Sequence, residues 1–153
     1  MVKIDLHTHS TRSDGLDSPS ELIANAAKAG VDIIALTDHD TVSGWDEARG
    51  KAFELGLGFV PGIEVTSVSD IERFGKTIRI SVHLLAYLPD PDHKALEIVL
   101  GDTVATREAR GRAIVEKLAE QIPITWEMVL GHLDEGATVS YTHLRAHETK
   151  ANL

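Results

Sequence analysis

The 153-residue chain has no cysteine, which excludes disulfides and thiolate metal sites together. Hard oxygen ligands and imidazole are the only ligand types left to it. Positive charge is also in short supply. Lys and Arg number 15 against 24 Asp and Glu, for a formal net charge of -9. A field of that sign does not attract nucleic acid or an anionic membrane, so stable DNA binding is not expected. A phosphate ligand would need a local positive centre, from metal ions or a few placed arginines. No segment approaches the ~20 apolar residues of a membrane span, and Met1 leads straight into a strand pattern rather than a signal peptide. A cytoplasmic protein is therefore expected. Internal repeats and low-complexity segments are absent, which excludes repeat architectures.

What is present fits one globular domain: 42% of residues are apolar, enough to bury a core. Eight histidines is a high count, and most stand close to acidic residues. Val2 to Leu6 reads as a short strand. Ser18-Pro19-Ser20-Glu21 is a helix start, with Ser18 as cap, Pro19 at the first helical position and Glu21 completing a capping box. That helix shows Leu22, Ile23, Ala26 and Ala27 on one face and stops at Gly30. Val31 to Leu36 is a nearly continuous apolar run, the pattern of a strand covered on both faces. Trp45, Ala48, Ala52 and Leu55 repeat at helical spacing up to Gly56, and Phe59 to Val65 reads as a third strand. This β-α-β-α-β order predicts an α/β fold with a parallel sheet or barrel and right-handed crossovers. Residues 67–76 are polar and read as a loop or hairpin tip. Ile78 to Leu88 is a further strand, followed by a helical stretch from about Lys94 to Glu120 that Gly101 and Gly111 would break. Thr125 would cap a last helix, Trp126 to Leu133.

Residues 139–153 differ in character. The run Val139-Ser140-Tyr141-Thr142-His143-Leu144-Arg145-Ala146-His147-Glu148-Thr149 resembles the in-frame translation of a transposase-type sequencing adaptor, so 139–153 is expected to be a non-native tail behind a natural segment 1–138.

Five short segments carry chemistry: Asp5-Leu6-His7-Thr8-His9, Ser13-Asp14-Gly15, Thr37-Asp38-His39-Asp40, Gly62-Ile63-Glu64 and Val82-His83. Each is expected at or just beyond a strand end, the edge where sites assemble in parallel α/β folds. His7 and His9, at i and i+2, can face one side of an extended segment. Asp14 follows on the same loop, and Gly15 lets the chain turn close to an ion. His39 has a carboxylate on each side, and a neighbouring carboxylate can fix the tautomer of a ligating ring. Glu64 is charged within an apolar strand, where a cation is the natural compensation.

Taken singly, each of these has a plainer reading. A histidine pair is commonly decoration, a lone Glu64 would be a strand-end salt bridge, and His83 could equally be a satisfied core histidine. Four histidines, an Asp and a Glu at successive strand ends point instead to one metal site. His93 and His132 have no acidic partner at ligand spacing and read as surface residues. His143 and His147 fall in the expected tail. On the long helix, Arg107, Arg110 and Arg112 are the clustered positive charges, and their forks suit phosphate oxygens. The competing reading is a solvated face paired with Glu108 and Glu116.

These motifs, with Ser10 and Pro61 beside them, resemble the opening motifs of the PHP (polymerase and histidinol phosphatase) domain family, from Met1 to about Thr138. The resemblance implies a distorted (βα)7 TIM-like barrel, of which this chain would supply the N-terminal half. It implies two or three divalent ions, with Mn expected and Zn or Fe as alternatives. The implied ligands are His7, His9, Asp14, His39, Glu64 and His83, with Glu64 bridging two metals. The family's later histidine and C-terminal Asp-x-His pair have no counterpart here, so the chain alone is expected to be an impaired enzyme.

The features resemble most the stand-alone branch that hydrolyses nucleoside 3′,5′-bisphosphates or trims short RNA from its 5′ end. The expected partner is thus a small phosphorylated nucleotide or short RNA, contacted by Arg107 and Arg110. Asp38 or Asp40 would orient a ligand or pass a proton. Alternatives are the PHP part of a DNA polymerase, a histidinol-phosphate phosphatase, or an inactive metal-binding fragment.

Overall fold

Three parallel strands and one antiparallel strand form the sheet that carries the candidate site. The computed structural model describes residues 1–131. In chain order the elements are β1 (Ile4–Asp5), α1 (Pro19–Lys28), β2 (Ile33–Leu36), α2 (Trp45–Leu55), β3 (Gly58–Arg73), β4 (Lys76–Tyr87), α3 (Lys94–Ala119) and α4 (Trp126–Leu130). The sheet order is β1-β2-β3-β4. β1–β2 and β2–β3 are parallel, as the β-α-β-α-β order predicts, and β3–β4 is antiparallel. The fold class is mixed α/β.

Local chemistry accounts for the first helices. Ser18 caps α1, its hydroxyl accepting from the Glu21 amide while the Glu21 carboxylate accepts from the Ser18 amide at 3.0 Å. Gly56 closes α2 in the left-handed region at φ 72°, a conformation that glycine adopts without a Cβ penalty. Ile23 of α1 and Trp45, Ala48 and Ala52 of α2 pack on Ile34, Leu36 and Ile63 of the sheet to make the main core. Trp45 also donates its indole N–H to the Gly62 carbonyl at 2.8 Å, tying α2 to β3 two residues before Glu64. A Cβ on Gly62 would come within 2.7 Å of Thr37 Cγ2, so the missing side chain lets the end of β2 lie against β3.

Three expectations are corrected. Of the loop or hairpin tip expected over 67–76, the tip is present but confined to Phe74-Gly75: β3 runs on to Arg73 and pairs with β4 in continuous register. Both turn residues have positive φ, 54° and 70°, the pattern of a tight two-residue hairpin. Gly101 and Gly111 do not interrupt α3, which is one continuous helix. A glycine costs a helix only ~1 kcal/mol, and the packing of neighbouring residues offsets it. Nor is every site segment at a strand end, since Glu64 and His83 lie well inside β3 and β4. Glu64 does stand just past the last β2–β3 pair, Leu36 with Pro61.

α3 and α4 share a second, smaller cluster, Val115, Ile124, Trp126 and Val129, separate from the main core. Arg112 lies over the Trp126 ring at 4.7 Å and pairs with Glu108 at 2.7 Å. His132 and residues 139–153, with His143 and His147, lie outside the described residues.

Candidate metal centre and substrate cleft

The chain leaving β1 carries His7 and His9, and the segment leaving β2 carries His39. A parallel bridge pairs His39 with Glu64, reinforced by backbone bonds from Asp40 N to Glu64 O at 3.1 Å and from Glu64 N to Asp38 O at 3.2 Å. His83 enters from β4, opposite Thr66 in the register. Four imidazoles thereby follow one another, His7, His9, His39, His83, with successive ring centroids 5.1, 4.8 and 5.0 Å apart.

Glu64 is at their centre, with its side chain 6% exposed. One carboxylate oxygen is 2.7 Å from His7 Nε2 and 3.1 Å from His9 Nε2, and the other is 2.7 Å from His83 Nδ1. Asp14 faces His9 at 3.4 Å and His39 at 3.7 Å. Burial pushes the Glu64 carboxyl up. Hydrogen bonds from His7 and His83 and the charges of His39 and His9 outweigh it, so the group stays below the usual carboxylate range. Burial lowers the His39 imidazole, against the opposing pull of Glu64 and Asp14. A neutral imidazole is the ligating form.

This donor set fits divalent ions. His7–His9–Glu64, His9–Asp14–His39 and His39–Glu64–His83 each bring their ligand-type atoms within 4.8 Å of one another. Two ligands about 2.1 Å from a common ion stand about 3 Å apart, the scale of the contacts around Glu64. Among the described residues no Lys or Arg pairs with Glu64 or Asp14; histidines alone stabilise the Glu64 carboxylate, and a cation would take over that role where the imidazoles are neutral. Nitrogen and oxygen donors without thiolate suit first-row divalent metals.

The two aspartates beside His39 reach away from the cluster. Asp38 is fully buried and accepts from Ser10 N at 2.7 Å, Ser10 Oγ at 2.7 Å and Ser13 Oγ at 2.6 Å. Burial pushes its carboxyl up despite the hydrogen bonds from Ser13 and Ser10 that pull it down. Asp40 has φ 54°, accepts from Thr66 N at 2.7 Å and pairs with Arg107 at 2.9 Å. Asp38 thus holds the loop that bears His9 and Asp14, and Asp40 holds β3 and α3. Sequence reasoning placed Ser10 and Ser13 in the motifs without a partner for either, and gave Thr66 no role. Thr66 had a usable signal, two residues beyond Glu64 on the same strand face.

Gly15 closes the loop. A Cβ there would meet His9 O at 2.4 Å, His9 C at 2.6 Å and Ser10 N at 2.7 Å, all backbone atoms that have nowhere to go. Gly15→Ala is expected to cost about 1–3 kcal/mol, the range for overpacking, and to displace His9 and Asp14. Chemical denaturation and a Mn²⁺ titration of the variant check both effects. Parent-like values would show that the loop has room.

A cleft of about 520 Å³ opens beside the cluster, lined by Asp14, His39 and His83 on one side and by Arg107, Arg110 and Gly111 of α3 on the other. Positions 107, 110, 111 and 114 line it at helical spacing, and Arg112 faces Trp126 instead.

The PHP domain profile matches residues 5–137. The chain belongs to the PHP domain family. It is 39% identical over 116 residues to a 5′-3′ exoribonuclease of Haemophilus influenzae, covering 76% of this chain and 39% of that protein. It is 36% identical over 148 residues to a 3′,5′-nucleoside bisphosphate phosphatase of Chromobacterium violaceum, covering 96% of this PHP chain and 49% of that one. A crystallised Bifidobacterium adolescentis protein with a metal-dependent phosphoesterase assignment superposes with a TM-score of 0.86 at 34% identity, over 99% of this chain and 51% of its own. The chain spans about half the length of the curated relatives it matches, or somewhat less. No helix among the described residues is long and apolar enough to cross a membrane.

Proposed function

We propose that this PHP domain provides the metal-holding side of a phosphoesterase that acts on small nucleotides, either nucleoside 3′,5′-bisphosphates or the 5′ ends of short RNA. The observation that carries this reading is the convergence of His7, His9, His39 and His83 on a buried Glu64, beside a cleft that also holds two arginines. An amidohydrolase from Chromobacterium violaceum, 32% identical with a TM-score of 0.79 over 98% of this chain and 50% of its own, was crystallised with bound sulfate, a tetrahedral anion, and no metal.

In this reading His7, His9, Asp14, His39, Glu64 and His83 hold two or three divalent ions, with Mn²⁺ first and Zn²⁺ or Fe²⁺ as alternatives. The chemistry those ions supply when bound is Lewis-acid activation of water and of the phosphoryl group. Glu64 contributes a full negative charge shared between neighbouring positions. Arg107 and Arg110 bind phosphoryl oxygens through their forks. Asp38 and Asp40 act on the site by holding its loop and its helix in place. The proposal includes a cytoplasmic location.

The test is a release assay with Mn²⁺ on the 153-residue chain and on a natural gene product containing residues 1–138. The substrates are a nucleoside 3′,5′-bisphosphate and a 5′-phosphorylated short RNA. Metal-dependent release that a chelator abolishes is expected from the gene product, with much slower release from the 153-residue chain. Turnover of neither substrate with Mn²⁺, Zn²⁺ or Fe²⁺ would sink the proposal.

A further inference from the structure

We infer that Asp40 is a positioning residue for anion binding, acting through the guanidinium of Arg107. The inference rests on the nucleotide-phosphate reading of the cleft and adds to it the group that sets the arginine. Asp40 is buried completely at its side chain, and the Arg107 side chain is 18% exposed. A buried carboxylate one residue from the metal cluster would be expected to face that cluster, yet its two oxygens go elsewhere. One accepts from Thr66 N at 2.7 Å and the other meets Arg107 Nη2 at 2.9 Å. The same Nη2 donates to Thr66 Oγ1. Thr66 therefore holds one terminal nitrogen of the guanidinium against β3 by a hydrogen bond, and Asp40 Oδ2, which has no hydrogen-bond partner among the described residues, holds the same nitrogen by charge. Arginine has five N–H donors, and Nε and Nη1 have no partner among the described residues.

The side chain lines the cleft beside His39 and His83. An arginine fixed in this way loses little rotamer freedom when an anion arrives, so its affinity depends on the carboxylate behind it. The positive φ of Asp40 aims its side chain, and its backbone N–H is already committed to Glu64 O. The result is a rigid connection from the strand that bears Glu64 to the helix that forms the far wall of the cleft. Arg110 lines the same cleft and is exposed, with no such backing.

The experiment measures binding of inorganic phosphate by calorimetry to the Mn²⁺-loaded chain, with Mn²⁺ affinity as a second readout. The proteins are the parent, Asp40→Asn, Arg107→Lys, Arg107→Gln and Asp40→Asn/Arg107→Gln. Asparagine tolerates the left-handed backbone and its amide oxygen still accepts from Thr66 N, so Asp40→Asn keeps the tie to β3 while its NH2 turns a donor toward the Arg107 guanidinium; a thermal melt checks that the variant is folded. It is expected to weaken phosphate about tenfold, as does loss of a partner that orients a binding group, and to change Mn²⁺ affinity by less. Arg107→Lys keeps a charge for Asp40 and is expected to weaken phosphate similarly, because the fork is lost. The double variant is expected to bind phosphate as weakly as Arg107→Gln and no more weakly. If Arg107→Gln does not fold with Asp40 left unpaired, the double variant, which removes both charges, is compared with Arg107→Lys instead. Equal and additive losses, or parent-like binding by Asp40→Asn, would overturn the role of Asp40 and leave the cleft reading standing. A parent chain that binds no phosphate would overturn the cleft reading and this inference together.

Discussion

Glu64→Gln is expected to lower the affinity of the cluster for divalent metal by at least about 100-fold, the upper end for loss of even an outer partner of a metal ligand. The side chain is close to isosteric, so core packing around Ile63 and Trp45 should survive. What disappears is the charge. Three imidazole nitrogens stand within 3.1 Å of that carboxylate, and no Lys or Arg in contact with it supplies a substitute among the described residues. In the parent, Mn²⁺ at 100 times its dissociation constant should add about 2.7 kcal/mol to folding stability by mass action. In the variant the same concentration should add almost nothing, and phosphoester turnover should vanish with it. Thermal unfolding with and without Mn²⁺ reads the first effect and phosphate release the second. A Glu64→Gln protein that is stabilised by Mn²⁺ as much as its parent would assign Glu64 to strand structure.

Asp38→Ala is expected to be the most damaging single change to the loop that bears His9 and Asp14. Ser10 N and Ser10 Oγ lose their acceptor at once, and Ser13 Oγ keeps only longer contacts to Asp14 at 3.4 Å and His9 at 3.5 Å, in a region where Ser10 and Ser13 are fully buried. Each buried donor left unsatisfied costs about 1–3 kcal/mol, so a total of about 3 kcal/mol or more is expected. That is a large share of the ~5–15 kcal/mol by which domains are stable. The urea midpoint should fall with little change in slope, and Mn²⁺ affinity should fall because His9 and Asp14 lose their anchor. If both stay at parent values, Arg12, which joins this loop to Glu47 of α2 at 3.1 Å, is the stronger anchor.

The part of the fold built on local signals was legible in the sequence. Ser18 with Glu21, Gly56, and the period of Trp45, Ala48 and Ala52 each specify structure within a few residues, and those elements stand where the pattern places them. The strand at Ile78 to Leu88 was legible, but the run of β3 beyond Val65 was not, for a physical reason. Beyond Ser67 it is largely exposed, so Ser69, Asp70, Glu72 and Arg73 show no apolar alternation to mark a strand. Cross-strand partners hold it instead, among them the two bonds from Arg79 to Asp70 at 2.8 and 3.0 Å. Its turn uses Phe74 where Asn or Asp is the usual signal.

In the candidate site, residues that follow short parallel strands were readable as a group, because the chain direction sends them all to one edge. His83 reaches the cluster from an antiparallel strand, by register rather than by strand end. Of the three arginines, only helical phase separates the two that line the cleft from Arg112 against Trp126. The long reach of Asp38 to Ser10 and Ser13, across 28 and 25 residues, has no sequence signature at all.

The cluster of Val115, Ile124, Trp126 and Val129 gives α4 and the second half of α3 packing of their own, while Leu100 in the first half of α3 packs against the core beneath the candidate metal ligands. Cleft-lining positions on α3 other than Arg107, which is tied to Asp40 and Thr66, can therefore be rewritten with least effect on Ile34, Leu36, Ile63 or the carboxylate that follows them. Apart from the Arg107–Asp40 link, the two walls of the cleft are in evolutionary terms separable inheritances. One edge of a sheet can keep its ions through descent, and a single helix can change which phosphoester is brought to them.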